Sequence, residues 1–206
     1  AFNQDYGFMI YSTELDGQKS GKLKVTGLHD YATVFLNGTF IGTLDRREGI
    51  DSIDLPETSA EHPVLEILVE AMGRINFGEN MIDRKGITDE VTFNGMSLVN
   101  WKAYSLPMDD KFIYDLRSSG RNPGKKGIFF RSGFFVVTIG DTYLDMSNYR
   151  KGVVWVNGHN LGRYWDIGPQ KRLFCPGVWL RSGMNEMIVF DLLQTEPKPV
   201  FGYTTI

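Results

Sequence analysis

Apolar and polar residues alternate in several short segments of the chain, which is the pattern of strands with one buried face. In residues 22–25 lysines alternate with Leu and Val, and in residues 64–71 Val, Ile and Leu alternate with glutamates. Similar segments recur at a spacing of about 8 to 12 residues, separated by Gly, Pro and Asn-Gly. No segment has a sustained helical period, although residues 110–117 could form one helical turn. The pattern therefore predicts an all-β protein.

Two Asn-Gly dipeptides stand between strand-favouring runs, in residues 34–43 and 154–165. Asn and Gly readily adopt the positive φ angles of a type I′ turn, so each segment predicts a tight β-hairpin. The two segments have nearly the same sequence, and Asn37 of the first corresponds to Asn157 of the second, 120 positions later. This repeat indicates a duplicated unit.

The same displacement relates further positions along the chain, and such agreement in one register indicates two copies of one β-domain. The matched pairs are Gly7 and Gly127, Pro56 and Pro176, Glu66 and Glu186, and Val69 and Val189. Many short strands with Gly- and Pro-rich turns are typical of a two-sheet sandwich or jelly roll. We predict two tandem jelly-roll β-sandwich domains at 1–106 and 127–206, joined by a turn-rich connector at 107–126.

Residues 73–86 show neither the alternation of a strand nor the period of a helix, and they are rich in Gly and charged residues. They predict a long loop that follows a strand. Long loops without structure of their own are commonly functional, so this segment is a candidate for contact with a ligand or partner.

Composition narrows the possible partners. The chain has 206 residues with 42% hydrophobic, and its 22 Lys and Arg nearly balance its 25 Asp and Glu. No basic run or stripe stands out, so nucleic acid and anionic membrane surfaces are unfavourable partners. No apolar run approaches the roughly 20 residues of a membrane helix. The chain starts close to its first predicted strand without a signal peptide, and we expect it to be part of a longer polypeptide.

The carboxylates and serines provide no recognisable catalytic set. Glycosidases use two opposed carboxylates, and none of the acids is marked out as such a pair. Glu66 and Glu70 fall at even spacing on one predicted strand, so both are expected to face solvent. No serine lies in a Gly-x-Ser-x-Gly elbow. We therefore predict no catalytic residue.

Neither the histidines nor the cysteine predicts a metal or cofactor. His29, His62 and His159 lie far apart in sequence, in predicted turns, and none has a second His or Cys at ligand spacing. Cys175 is the only cysteine, and its apolar neighbours favour a buried, inert thiol. No metal site and no cofactor are expected.

Aromatic residues raise the question of sugar binding, because flat rings stack on the apolar faces of pyranoses. Trp155 lies in an apolar strand and is predicted to be in the core. Tyr164 and Trp165 follow the second hairpin and are predicted to reach a surface. A contact between domains is favoured there, and a sugar platform remains the alternative.

Two groups of motifs resemble the β-domains of glycoside hydrolase family 35 β-galactosidases. The second hairpin from Lys151 to Trp165, followed by Gly168-Pro169-Gln170, resembles the carboxyl-terminal β-domain of that family. The first copy resembles the preceding β-domain through Asp45-Arg46, residues 69–78 and residues 83–87. Together these motifs cover nearly the whole chain in the family's order, and the resemblance implies that the two jelly-roll domains are galactose-binding-like.

The resemblance implies several functional expectations. In that family a separate (β/α)₈ barrel carries the nucleophile and acid/base glutamates of a retaining mechanism, and this chain has no room for such a barrel. The chain alone is therefore expected to be non-catalytic, with the barrel of a secreted, periplasmic or lysosomal parent as its partner. Asn76 and Phe77 are implied to border the galactose pocket, where Phe77 replaces the usual tyrosine. Arg74, with Tyr164 and Trp165, is a candidate for sugar or interdomain contact. The alternative is an autonomous carbohydrate-binding module for galactosides.

Overall fold

The computed structural model describes residues 4, 6–17, 20–79, 81–117, 120 and 124–205. Residue 80 of the predicted loop and residues 118, 119 and 121–123 of the predicted connector lie outside this set. The described chain forms two compact units, residues 1–108 and 109–206. No helix in the described part is long and apolar enough to cross a membrane.

The described chain is almost entirely β-structure. Its elements are β1 (Phe8–Glu14), β2 (Gly21–Val25), β3 (Leu28–His29), β4 (Tyr31–Leu36), β5 (Thr39–Asp45), β6 (Ser52–Leu55), β7 (Val64–Glu70), β8 (Gly86–Ile87), β9 (Val91–Phe93), β10 (Met96–Ser97), β11 (Lys102–Leu106), α1 (Asp110–Asp115), β12 (Ile128–Val136), β13 (Thr142–Asp145), β14 (Lys151–Val156), β15 (His159–Trp165), β16 (Arg172–Cys175), β17 (Gly183–Asp191) and β18 (Phe201–Tyr203), with 3₁₀ turns at Arg46–Glu48 and Gly177–Trp179.

The first unit is a β-sandwich. One sheet has the strand order β11-β1-β7-β4-β5, the other has the order β10-β9-β2-β6, and β3 and β8 form a small separate pair. A single buried cluster joins the two sheets, because Val34 and Ile67 of the first sheet pack with Leu23, Leu55 and Phe93 of the second. The apolar positions of the alternating strands form this core.

The second unit repeats the arrangement. Its sheets have the orders β12-β17-β14-β15 and β16-β13-β18. Val154 and Val189 of one sheet and Leu144, Leu173 and Cys175 of the other share one buried cluster. The prediction of an all-β chain with two sandwiches is confirmed, as is the burial of Cys175, whose side chain lies in this core.

Both Asn-Gly hairpins form as predicted, and each asparagine side chain also accepts a hydrogen bond from the backbone at the neighbouring strand. Asn37 and Asn157 have φ angles of 51° and 49°. Asn37 Oδ1 accepts a hydrogen bond from the Val64 amide at 2.8 Å, and Asn157 Oδ1 accepts one from the Glu186 amide at 3.0 Å. Each hairpin also has a shift in strand register, which lies between Val34 and Phe35 in the first hairpin and between Val154 and Trp155 in the second.

The two copies are not related by 120 positions throughout. Val34 pairs with Ile67 in the first unit, whereas Val154 pairs with Val189 in the second. The last long strand is therefore displaced by two extra residues, and matching Glu66 with Glu186 and Val69 with Val189 was wrong. A shift of two preserves the alternation of inward and outward side chains, so the hydrophobic pattern does not reveal it.

Glu70 does not face solvent as predicted. It is 1% exposed, and the last four residues of β7 are all buried. β7 lies between β1 and β4 in its sheet. Consecutive residues, which point to opposite faces, are buried at this end, so both faces of the strand are covered there. Alternation predicts exposure only where one face of a sheet is open to water. Trp155, in contrast, is fully buried as predicted.

Candidate functional site

The first unit contains a compact set of charged side chains, here called the charge cluster: His29, Asp30, Arg46, Asp83 and Lys85. Lys85 Nζ lies 2.6 Å from Asp83 Oδ2 and 2.7 Å from Asp30 Oδ2. Arg46 Nη1 lies 2.9 Å from Asp30 Oδ1 and 3.0 Å from Asp83 Oδ1. His29 Nδ1 lies 2.9 Å from Asp83 Oδ1. Two carboxylates are thus bridged by two cations.

Burial makes these pairs stronger than surface ion pairs. The side chains of Asp83 and Lys85 are only 5% and 8% exposed. The hydrogen bond from Lys85 holds the pKa of Asp83 well below its usual range, with further help from Arg46 and His29 and against the effect of burial. The hydrogen bond to Asp30 likewise raises the pKa of Arg46. The Asp83 carboxylate and the Arg46 guanidinium are therefore both kept charged.

The charge cluster anchors both ends of the segment that links β7 to β8. Asp30 Oδ2 accepts a hydrogen bond from the Met72 amide at 2.9 Å, which fixes the start of the segment. Asp83 and Lys85 fix its end. Gly86 follows at a φ of 97°, and the Tyr11 hydroxyl occupies the space that a Cβ would need. The segment between these anchors is thus held at both sides.

Between these anchors the chain exposes large apolar side chains to solvent. We call residues 73–82 the apolar loop. Phe77 is 90% exposed and Ile82 is 89% exposed, with Met81 at 59% and Ile75 at 39%. Four such residues on one anchored loop form the kind of apolar surface that marks an interaction site.

Two of the other predicted site residues lie on the same loop. Arg74 and Asn76 are both exposed, beside Phe77. The structure therefore brings Arg74, Asn76 and Phe77 together on one surface segment. Their role as the edge of a galactose pocket remains a prediction.

The charge cluster was not found from the sequence. His29, Asp30 and Asp83 could each direct one ligand atom at the same ion. However, Lys85 and Arg46 already neutralise both carboxylates, so these oxygens are engaged in ion pairs. His29 and Asp83 are 54 positions apart, and no local spacing connects them. The only signal was that Arg46, Asp83 and Lys85 fall in the motifs that carry the family resemblance.

Tyr164 is a core residue, so the prediction that it reaches a surface was wrong. It is 1% exposed, and its hydroxyl donates to Asp191 Oδ2 at 2.8 Å. Asp191 is fully buried and also accepts hydrogen bonds from the backbone amides of Arg150, Leu193 and Gln194, each at 2.8 Å. The tyrosine ring belongs to the apolar cluster while its hydroxyl completes a buried polar network.

Trp165 is half-buried, and a cation occupies one face of its indole. Lys151 Nζ lies 3.7 Å from the ring centroid, and Lys151 itself is 2% exposed. A buried ammonium over an aromatic ring is a favourable cation–π contact. This face of Trp165 is therefore used within the second unit and is not a platform for a sugar.

A different set of aromatic residues is open to solvent on the second unit. In the β16-β13-β18 sheet, Tyr143 pairs with Phe174 on one side and with Tyr203 on the other. Their neighbours Leu144, Leu173 and Cys175 point into the core, so this row lies on the outer face. Phe174 is 46% exposed and Tyr203 is 42% exposed. We call these three residues the aromatic row.

Polar side chains accompany the aromatic row. Arg172 Nε lies 3.1 Å from Asp145 Oδ2, and its guanidinium carbon lies 4.6 Å from the centre of the Tyr203 ring. Aromatic rings beside oriented polar groups are the usual means of holding a sugar. Sequence reasoning missed this row because its members lie on three separate strands.

A shallow cleft of about 850 Å³ lies at the tip of the second hairpin. Its walls include Asn157, His159, Arg131, Arg181 and Glu186. Arg131 Nε lies 3.3 Å from Glu186 Oε2, with both side chains nearly half exposed. His159 stacks on the Trp179 ring at 4.7 Å and 14°. An exposed ion pair such as Arg131–Glu186 contributes little free energy to folding.

Comparisons with known proteins agree with this architecture. A family model described as "Beta-galactosidase, first all-beta domain" matches residues 1–107, and one described as "Beta-galactosidase, galactose-binding domain" matches residues 128–185. Human Beta-galactosidase-1-like protein 2 is 38% identical over 209 residues, covering 98% of this chain and 31% of its own length. The Beta-galactosidase of Xanthomonas manihotis is 37% identical over 174 residues, covering 84% of this chain and 29% of its own length.

Two sandwiches that match an all-β module and a galactose-binding module define a pair of accessory β-domains. The chain belongs to the β-galactosidase family, and the resemblance found in its sequence is confirmed. It spans about 31% of the length of the human relative.

Proposed function

We propose that these domains brace the catalytic (β/α)₈ barrel of a parent retaining β-galactosidase and border its substrate pocket through the apolar loop. The observation that carries this proposal is the exposure of Ile75, Phe77, Met81 and Ile82 on one loop that is anchored at both ends. The parent would hydrolyse terminal β-galactosides, and the residues described here would contribute no catalytic group.

The free energy of burial favours docking of this loop. Covering a large apolar side chain contributes about 1.5–3 kcal/mol relative to leaving it exposed. Phe77 and Ile82 are almost fully accessible, so each has nearly this whole amount to gain. Because the charge cluster fixes the loop beforehand, less conformational entropy is lost when the loop docks than for a free loop.

Phe77 has the right chemistry for the edge of a galactose pocket. A phenyl ring offers a flat apolar face to the C–H side of a pyranose, and it has no hydroxyl to donate or accept a hydrogen bond. Arg74 and Asn76 stand beside it and offer hydrogen-bond donors for sugar hydroxyls. We infer an apolar contact from Phe77 and polar contacts from its neighbours.

Kinetics of the intact parent test this role. Phe77→Ala should lower kcat/KM for a chromogenic β-galactoside roughly 10-fold, since about 1.4 kcal/mol of contact is lost. Tyr114→Ala is the matched control, because Tyr114 is an equally accessible aromatic residue at 80% exposure on the second unit. The chain of 206 residues alone should give no turnover. Unchanged kinetics in Phe77→Ala, or turnover by the chain alone, would contradict the proposal.

The aromatic row supports a second candidate function, an autonomous carbohydrate-binding module for galactosides. Calorimetric titration of the chain with galactose, lactose and short β-galactans provides the test. Millimolar or tighter binding that is lost in Phe174→Ala and retained in Tyr114→Ala would favour this module. Absence of binding heat with all three ligands would rule out the carbohydrate-binding module and leave the accessory role.

A further inference from the structure

Within the described residues, one edge of the second sandwich has no equivalent of the strand that covers the same edge of the first. In the first unit β11 pairs with the outer side of β1, with Phe8 opposite Leu106 and Ser12 opposite Lys102. In the second unit β12 is the outermost strand of its sheet, and no described segment pairs with its outer side. The duplicated domains therefore differ at this edge.

The other strands of the two units correspond one to one. β12, β14, β15 and β17 match β1, β4, β5 and β7 in order, and β13, β16 and β18 match β2, β6 and β9. Among the strands of the two sandwich sheets, only β10 and β11 have no counterpart in the described part of the second unit. The unpaired edge of β12 is thus a specific difference in an otherwise complete copy.

The direction of the backbone groups can be assigned. In β17 the even-numbered residues face β14, because the Asn157 amide donates to the Glu186 carbonyl at 2.9 Å and, just past the strand end, the Leu192 amide donates to the Lys151 carbonyl at 2.9 Å. In an antiparallel ladder successive residues direct their backbone groups to opposite sides. The odd-numbered residues of β17 therefore face β12, where they pair with even-numbered residues such as Phe130 and Ser132. The N–H and C=O groups of Phe129, Arg131, Gly133 and Phe135 point away from β17, toward the open edge.

The sequence of β12 does not protect this edge. Edge strands usually avoid association by carrying Pro, Lys or a bulge, or by being short. β12 has nine residues with six Ile, Phe or Val, and its only charge is Arg131. Its central residues Arg131, Ser132 and Gly133 are exposed, and Phe135 is 68% exposed. A long, apolar edge of this kind is suited to pairing with another strand.

We propose that a strand of the same polypeptide, from outside residues 1–206, pairs antiparallel with β12 as β11 pairs with β1. The relatives show that enough polypeptide exists, since this chain spans only about 31% of the length of the human one. The added strand would place apolar side chains beside Phe130 and Phe134, which pack against the core. On the opposite face it would present polar side chains beside Arg131.

Hydrogen exchange in the intact parent tests the proposal. The outward amides of Arg131, Gly133 and Phe135 should exchange on the order of 100-fold more slowly than in the isolated chain. The inward amides of Phe130 and Ser132 should be protected in both and serve as the internal reference. Equal exchange of the outward amides in the two proteins would overturn the proposal.

A cross-link identifies the occupant. Ser132→Cys, labelled with benzophenone maleimide, is exposed on β12 and should cross-link within one polypeptide to a peptide from outside residues 1–206. A cross-link to a second copy of the protein, or to a peptide within residues 1–206, would overturn the assignment. Gly133→Pro removes one outward N–H and should restore fast exchange at Arg131 and Phe135, whereas Gly133→Ala should not.

Discussion

Removing the charge of Asp83 should be among the most damaging single polar substitutions in the first unit. Asp83 accepts hydrogen bonds from Lys85 and Arg46, and its side chain is 5% exposed. In Asp83→Asn one carboxylate, that of Asp30, would face both cations. Breaking a buried ion pair from one side costs about 3–5 kcal/mol, and the 42% exposure of Arg46 places the expected loss near the lower end, at about 3 kcal/mol.

Thermal unfolding followed by circular dichroism or calorimetry measures this loss. A change of 1 kcal/mol shifts the melting temperature of a domain of this size by about 4–8 °C, so the first unit of Asp83→Asn should melt at least roughly 12 °C lower. Asp54→Asn, on the exposed face of β6, is the matched control and should change stability by no more than about 0.5 kcal/mol. If both variants melt alike, the charge cluster does not stabilise the unit and the reasoning fails.

The same structure makes three further predictions. Because the pKa of Asp83 is lowered on folding, its contribution is complete well above the unfolded carboxyl value of about 3.9 and is lost as the pH falls below it. The difference in urea unfolding free energy between wild type and Asp83→Asn should therefore shrink between pH 6 and pH 3; a difference that grows would contradict this. Tyr164→Phe should cost about 1.5–3 kcal/mol, since it removes a hydrogen bond to the buried carboxylate of Asp191, without affecting any binding of galactosides. Burial raises the pKa of Cys175 to about 11, so at pH 8 a thiol reagent should label it only after denaturation, and rapid labelling of the native chain would refute its burial.

The elements of the fold that could be predicted are those set by local sequence. Alternation located most of the strands, and the Asn37 and Asn157 turns located both hairpins because the required φ angles select Asn and Gly. The second role of these asparagines, hydrogen bonding to the next strand, depends on a partner far along the chain. It could not be seen from the dipeptide itself.

The features that escaped prediction depend on tertiary packing. Glu70 looked solvent-facing because alternation assumes one open face, and its strand end is covered on both faces. Tyr164 looked accessible because its ring is amphipathic, yet Asp191 provides a buried partner for its hydroxyl. The charge cluster joins segments that are tens of residues apart, and nothing in the spacing of His29 and Asp83 indicates their contact.

The accessibility of position 77 tests the central claim most directly. Phe77→Cys should react quickly with a maleimide in the isolated chain, more slowly in the intact parent, and more slowly still when galactose is bound. Val178→Cys is the matched control, because Val178 is 88% exposed on the second unit and should react at one rate in all three states. Peptide mass spectrometry would follow both sites. Equal labelling of position 77 in the isolated chain, the parent and its galactose complex would contradict the docking of the apolar loop at the substrate pocket.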